Sequence, residues 1–403
     1  YINKGTSHQQ FLKEVWFRPC SFFCYNTHMK QRIGIVGGGQ LGRMLAQAAR
    51  KLGFFVTVLD PMLNGPAGQV ADAQIVGSFK DKDKILELAD VSDYITFEIE
   101  SANAEALEEL VARGVPVNPE PKVLKIIKDK FEQKVFLREH EIPVADFALI
   151  ENEEDCVRQA EIFGYPFLLK ARFDAYDGRG NYVVKSPEDI PVAFAKLSKS
   201  PLYAERFVPF VKELAVVSAR GVDGEIISFP VVETIHKNNI CHIVRSPAPV
   251  ANEGVVKAKN IAEKVLEVLG GVGVFAVEMF LTDSGEVIVN EIAPRVHNSG
   301  HHTIEAFSMS QFEAHIRAVT GMPLAVPEAL SHASVMVNIL GERDGEALLN
   351  GEYTHEGENG AKVHIYGKLE TRRERKMGHI TVLADTLEEA EKVALEVRKS
   401  IEI

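Results

Sequence analysis

Two glutamates, Glu278 and Glu291, have the strongest claim to chemistry in this chain; both lie in the stretch 273–301. Residues 274–281 read as an apolar strand, Asp283-Ser284-Gly285 as a turn, and 286–292 as a returning strand. With Ser284-Gly285 as a two-residue loop, Asp283 pairs with Glu286 and Glu278 falls opposite Glu291. A longer loop centred on the same pair keeps that register. An off-centre loop shifts the pairing by two and still leaves both carboxylates on one face. Strand alternation adds Ala276, Phe280, Val287 and Val289 to that face. Like charges opposed on an apolar face destabilise a sheet, and burying them uncompensated adds several kcal/mol. A divalent cation answers both costs, and oxygen-only ligands point to Mg²⁺ shared with a substrate's phosphates. The competing reading leaves one glutamate exposed at a sheet end or paired with Arg295. This stretch alone supports both.

Three further patches could handle phosphates. Gly37-Gly38-Gly39-Gln40-Leu41-Gly42 follows a short apolar strand, opens a helix, and is followed by Asp60 after a second strand. That is the dinucleotide fingerprint in its expected βαβ context, and it fits either a nicotinamide cofactor or a Rossmann-like domain facing another phosphorylated ligand. Lys170 ends an apolar strand just before the loop 175–181, whose glycines and arginine can fold over phosphates; a strand-borne lysine reaching phosphates is a recurring device. Alone, the pair reads equally as a hairpin loop beside a surface lysine. The run 368–376 is strongly basic. Such runs are usually solvated, salt-bridged turns, and the alternative is an arginine phosphate clamp.

The chain around these patches is ordinary in composition. Its 403 residues are 46% hydrophobic and 25% charged, enough for two or three domains. A net charge of −12 argues against a nucleic-acid surface. No run reaches the length of a membrane span. Cys20, Cys24, Cys156 and Cys241 show no CxxC spacing, so neither a disulfide framework nor zinc is indicated and a reducing compartment fits. Residues 1–28 are aromatic-rich and lack a secretory cleavage pattern. Met29 reads as a start, with 1–28 an extension outside the fold; the cytoplasm is expected, or a plastid if that segment is a targeting remnant.

Alternating short strands and helices over 29–125 make a small Rossmann-like unit, with strands at 32–36, 55–59, 75–76 and 94–97. A polar helix spans about 121–140, and 142–144 re-enters a strand. No second nucleotide half follows, which weakens the nicotinamide reading. Strands at 167–172, 182–184, 202–208, 212–217, 229–233 and 240–244 precede a helix over 261–269 and the carboxylate hairpin; a helix over 311–320 closes that unit. Strands at 334–340, 363–366 and 379–383 and a helix over 387–399 complete the chain. His297, His301 and His302 suggest hydrogen-bonding or structural roles, not zinc.

The order of Rossmann-like unit, Lys170, glycine loop, 205–213 linker and Glu278/Asn290-Glu291 resembles the ATP-grasp superfamily from Met29 onward. More narrowly it resembles the N5-carboxyaminoimidazole ribonucleotide synthetase family, in wording nearest the fungal and plant forms. Carrying the likeness are GGGQLGRML at 37–45, YDGRGN at 176–181, AERFVPFVKE at 204–213, ETIHK at 233–237, NEIAPRVHNSGH at 290–301 and RKMGH at 375–379. The resemblance implies an α/β and α+β architecture: a Rossmann-like domain (29–125), an ATP-grasp domain (126–322) and a small β-rich domain (323–403). It implies ATP-dependent carboxylation of 5-aminoimidazole ribonucleotide by bicarbonate through carboxyphosphate, in purine biosynthesis, with Mg²⁺ (two ions), a homodimer, and product passed to a separate mutase or carboxylase. Lys130 and Lys170 would meet the ATP phosphates, under a loop of Ala175, Tyr176, Asp177, Gly178, Arg179, Gly180 and Asn181. Glu205, Arg206, Phe207 and Val208 would line adenine, Glu213 the ribose, and His236 would sit beside the nucleotide. Glu278 and Glu291, with Asn290 adjacent, would hold Mg²⁺. Arg295, Lys170 and Glu291 would be catalytic, Arg295 stabilising the bicarbonate-derived oxyanion. Gly39, Gln40, Leu41, Asn298, Ser299, Lys368, Arg375 and Lys376 would bind the ribonucleotide. One departure stands out: bacterial relatives often read R-P-G-R-K where this chain has Arg372-Arg373-Glu374-Arg375-Lys376, which leaves Arg373 and Glu374 without a role. Rival readings are another ATP-grasp carboxylate–amine ligase, an NAD(P)-dependent oxidoreductase, and a silent nucleotide-binding subunit.

Overall fold

The computed structural model describes residues 30–173, 180–348 and 360–403. The segment 1–28, with Cys20 and Cys24, and the loop residues Ala175, Tyr176, Asp177, Gly178 and Arg179 lie outside them.

The chain opens with β1 (Arg32–Val36), α1 (Gln40–Lys51), β2 (Phe55–Asp60), β3 (Ala73–Val76), α2 (Lys82–Asp90), β4 (Tyr94–Phe97) and α3 (Ala104–Ala112). The strands form a parallel sheet in the order β3-β2-β1-β4. β1 is central and paired on both edges, which is why its sequence is an almost unbroken apolar run. The expected single helix over 121–140 is two, α4 (Pro121–Lys128) and α5 (Lys130–Glu139). Asp129 takes an extended conformation between them and caps α5, accepting from the amides of Phe131 and Glu132. Capping satisfies amides that a continuous helix would have paired internally.

Next come β5 (Phe147–Ile150), α6 (Glu153–Phe163), β6 (Phe167–Ala171), β7 (Asn181–Val184), α7 (Asp189–Leu197) and β8 (Leu202–Arg206). Their strands form an antiparallel sheet, β5-β8-β6-β7, with α6 and α7 covering one face. The strand expected at 142–144 is reduced to one bridge, Val144 with Val289.

Nine of the remaining strands make one sheet. It comprises β9 (Phe210–Arg220), β10 (Ile226–Ser228), β11 (Val232–Lys237) and β12 (Ile240–Ser246). After α8 (Asn252–Leu269) it continues with β13 (Gly273–Thr282) and β14 (Val287–Ala293). After α9 (Thr303–Ala306) and α10 (Gln311–Thr320) it takes in β15 (Ala333–Leu340), β17 (Lys362–Ile365) and β19 (Lys376–Ala384); β16 (Gly345–Glu346) and β18 (Glu370–Thr371) form a separate ribbon, and α11 (Leu387–Lys399) ends the chain. β12 pairs directly with β15, so the C-terminal β region extends the central sheet without a break.

A buried histidine ties the first sheet to the large one. His315 Nδ1 accepts from Val274 N at 3.1 Å, which leaves Nε2 as the N–H that donates to Thr96 Oγ1 at 2.7 Å. Burial drives this imidazole down to about 3, so it is neutral in that tautomer.

Candidate active site

The carboxylate hairpin sits at the edge of the large sheet. Glu278 does pair with Glu291, but by a different route from the two-residue loop expected. The loop holds three residues, Asp283 to Gly285, with Thr282 N donating to Glu286 O at 3.0 Å and Gly285 at φ 78°. Leu281 therefore faces Val287, Phe280 faces Ile288 and Met279 faces Val289; then the register shifts and Glu278 meets Glu291. The shift is a β-bulge that sets Asn290 and Glu291 together against one partner. It also corrects the expected face: Ile288 shares the side of Phe280 and Glu278, whereas Val287 and Val289 turn away into the core under α8.

The bulge is held by α5. Gln133 Oε1 accepts from Ile292 N at 3.1 Å, and its Nε2 reaches Ile292 O at 3.5 Å. Lys134 Nζ donates to Val289 O at 3.1 Å, and Pro143 O takes Val289 N at 2.8 Å. At the head of the same helix Lys130 Nζ lies 3.2 Å from Glu291 Oε2.

The two carboxylates are consequently unlike. Burial and the neighbouring Glu291 push Glu278 up to about 7. Burial acts on Glu291 in the same direction, but Lys130 outweighs it and holds that carboxyl low. Among the described residues the nearest ion-pair partner of Glu278 is His297, whose Nε2 is 3.5 Å from its Oε1, and the charges of His236 and Lys376 offset its upward shift only in part. His297 is driven well down by burial and by Arg295, so it brings no positive charge of its own. Such a site is short of one cation beside Glu278. Oxygen donors and a negative surplus fit Mg²⁺. Among the described residues no group of three or more His, Cys, Asp or Glu side chains could hold a metal unaided, so further ligands would come from bound phosphates.

The other expected residues divide into those gathered here and those engaged elsewhere. Lys170, on β6, gives Nζ to Glu205 Oε1 at 2.7 Å; Glu205, on β8, also pairs with Lys134 at 2.9 Å. Gly180 (φ 86°) and Asn181 lead into β7, with Asn181 opposite Lys170. Arg206 turns away to Asp146 (2.9 Å) and the carbonyl of Phe163 (3.0 Å), so its side chain serves the fold, while Val208 beyond it is buried. Phe207 is 36% exposed. Glu213, on β9, is 3.3 Å from His236 Nδ1 on β11. Burial lowers His236, but Glu213 overrides it and the net shift is upward.

Arg295 is 3.0 Å from Glu100, which follows β4 at the carboxyl end of the parallel sheet. Asn298 and Asn338 exchange amide hydrogen bonds of 3.0 and 2.7 Å, and Ser299 Oγ is 2.9 Å from His297 Nδ1. Lys368 donates to Lys376 O at 2.7 Å and Arg375 to Glu370 O at 2.6 Å. The charge of Lys376 acts on Glu278, His236 and His297, so the C-terminal basic turn reaches the carboxylate site. Arg373 and Glu374 gain a structural account: Arg373 N caps onto Asp344, and Glu374 adopts φ 66° with its carboxylate on Asn238 at 2.7 Å.

At the glycine turn the amides are already bonded to the chain's own acids. Gly38 N donates to Asp60 at 2.8 Å, and Gly39 N and Gly42 N to Glu98 at 2.7 and 3.1 Å. The acid expected on a dinucleotide's ribose thus holds the turn, and Glu98 fills the place of a pyrophosphate. Glu98 is raised to about 6 by burial, against these amide bonds.

Sequence reading missed Glu98, Glu100, Lys134, Gln133 and His297 as members of this site. Two signals were available. Ligands in open α/β sheets bind beyond the carboxyl ends of the strands, which marks Glu98 and Glu100 after β4. Lys134 lies four residues after Lys130, on one face of a helix.

Comparison with known proteins bears on the family and the fold. The ribonucleotide synthetase preATP-grasp domain matches residues 29–128, the ATP-grasp domain 135–312, and the phosphoribosylaminoimidazole carboxylase C-terminal domain 334–393. The chain is 42% identical to phosphoribosylaminoimidazole carboxylase of Schizosaccharomyces pombe, over 93% of this chain and 69% of that protein. It is 40% identical to N5-carboxyaminoimidazole ribonucleotide synthase of Bacillus subtilis, over 87% of this chain and 91% of the relative. The crystal structure of N5-carboxyaminoimidazole synthase from Aspergillus clavatus, in complex with ADP and 5-aminoimidazole ribonucleotide, superposes with a TM-score of 0.83 at 37% identity, covering 92% and 99% of the two chains. The chain thus spans about two thirds of the fungal carboxylase and nearly all of the bacterial synthase. With its three domains in that order, this chain belongs to the N5-carboxyaminoimidazole ribonucleotide synthetase family of ATP-grasp ligases.

Proposed function

We propose that the protein carboxylates 5-aminoimidazole ribonucleotide with bicarbonate at the expense of ATP, giving N5-carboxyaminoimidazole ribonucleotide, ADP and phosphate on the purine route. The observation that carries this is the opposed pair Glu278/Glu291 with Lys130 on one flank and Arg295 close by. Lys130 and Lys170 bind and orient the triphosphate. Glu278 and Glu291, with Asn290, would hold Mg²⁺, which would supply charge neutralisation for the transferred phosphoryl group. Bicarbonate oxygen attacks the γ-phosphorus as ADP leaves, forming carboxyphosphate. Arg295, oriented by Glu100, stabilises the negative oxygen of that species. Carboxyphosphate releases phosphate and CO₂; the exocyclic amine of the ribonucleotide attacks CO₂ and gives up one proton as the carbamate forms. The stretch Glu205 to Val208 lines adenine by backbone and edge contacts, Glu213 takes the ribose, and His236 lies beside them. The ribonucleotide lies between Gly39, Gln40 and Leu41 on one side and Asn298, Ser299, Lys368, Arg375 and Lys376 on the other. The protein works as a homodimer in the cytoplasm, and its product passes to a mutase or carboxylase.

Phosphate release measured with each candidate amine tests the reading. Stimulation by 5-aminoimidazole ribonucleotide plus bicarbonate is expected. Stimulation only by a different amine, or by formate in place of bicarbonate, would overturn it.

A further inference from the structure

The buried charges behind the phosphate-facing lysine do not cancel. Glu205 is 1% exposed and pairs with two lysines, Lys170 on Oε1 at 2.7 Å and Lys134 on Oε2 at 2.9 Å. One lysine on one carboxylate has no net charge, and a phosphate beside it would meet only a dipole. The second lysine leaves this triad with one positive charge in excess. The two lysines also differ in access. The Lys134 side chain is 2% exposed and its ammonium is tied to Val289 O at 3.1 Å, so it is sealed off from any ligand. The Lys170 side chain is 10% exposed, one residue before the end of β6.

We propose that Lys134 is a positioning residue for the phosphate site: it neutralises Glu205 from behind and so leaves the charge of Lys170 to the nucleotide's phosphates. Through Val289 it also fixes that charge relative to the bulge bearing Asn290 and Glu291. Two charges within a few ångströms in a weakly screened interior interact strongly, so the cancellation would be felt at the ligand. The geometry explains why a lysine, costly to bury, occupies the middle of α5. The inference rests on the ATP reading above.

The test is equilibrium binding of ATP and of adenosine to the full chain. Lys134→Met keeps the length of the side chain and removes its charge. ATP affinity is expected to fall about tenfold or more, the scale of one nearby charge, while adenosine affinity holds, so the ratio of the two falls with it. Equal losses for both ligands, or none, would overturn the proposal. Should Lys134→Met fail to fold, Glu205→Gln carries the test, since it removes the negative charge and keeps an acceptor. The preference for ATP over adenosine then rises; a preference that falls or stays put refutes the charge role. Wild-type protein with no preference for ATP over adenosine would sink the ATP reading itself, and this inference with it.

Discussion

At Glu278 and Glu291 two identical side chains acquire different characters from their neighbours. Glu291 has Lys130 and is held low; Glu278 has a buried, neutral imidazole and is raised to about 7. Removing the Glu278 charge relieves repulsion in the unliganded protein, whereas removing that of Glu291 leaves Lys130 without its partner; either change takes a ligand from the proposed metal site. Glu291→Gln is therefore expected to lower kcat by about a hundredfold or more, the scale of lost transition-state charge stabilisation, while the thermal midpoint falls because Lys130 loses its partner. A lowered midpoint with kcat unchanged would confine Glu291 to the fold. Arg295→Lys tests the oxyanion role: with the fork to Glu100 lost, kcat is expected to fall about tenfold to a hundredfold with little change in KM for ATP. Steady-state kinetics in the two substrates separates these outcomes.

The element that organises the site is α5. One short helix meets Glu291 through Lys130, Ile292 through Gln133, and Glu205 and Val289 through Lys134. It can do so because Asp129 breaks the preceding helix and caps the new one, while pairing with Arg172 at 2.5 Å at the root of the glycine loop. Gln133→Leu is expected to cost about 1–3 kcal/mol, the penalty for leaving buried backbone groups of Ile292 unsatisfied. It should also raise the Mg²⁺ concentration needed for half-maximal turnover, because the bulge that presents Asn290 and Glu291 loses its clamp. Denaturant unfolding and a Mg²⁺ titration read the two effects; a stability loss with unchanged Mg²⁺ dependence would confine Gln133 to the fold.

At the scale of the whole molecule the site is assembled across sheets. Arg295 follows the large sheet while Glu100 follows the small parallel one, so their geometry depends on how the two sheets are locked. His315 is that lock, spanning Thr96 and Val274. Its folded value of about 3 lies below the ordinary 6.5. The unfolded chain therefore binds the extra proton first, and stability is lost as pH falls from about 6.5 towards 3. His302, held at about 4 by burial, adds to the same trend. His315→Leu is expected to destabilise the protein by about 2–4 kcal/mol, having orphaned two buried polar groups, and to flatten this pH dependence by one proton. Unfolding free energies measured across that range check both.

The sequence by itself determined the elements and most of the charges. Sequence pattern placed α10 and α11 closely, and short apolar runs marked β4, β6 and the carboxylate hairpin. These are local properties: a strand or a helix face is written in residues a few positions apart. Long motifs also identified the family, because many side chains in a fixed order are specific in a way that no single spacing is. Tertiary structure decided what those residues face. The difference between the two glutamates depended on Lys130 beside Glu291 and on His236 and Lys376 acting on Glu278, all distant in sequence from their partners. The bulge at Asn290 was invisible because it is stabilised by Gln133 and Lys134 and not by β14 itself. The glycine turn carried every sign of a dinucleotide site, yet Asp60 and Glu98 occupy its amides. A backbone amide can be satisfied by a ligand or by a side chain from anywhere in the chain, and only the folded molecule shows which.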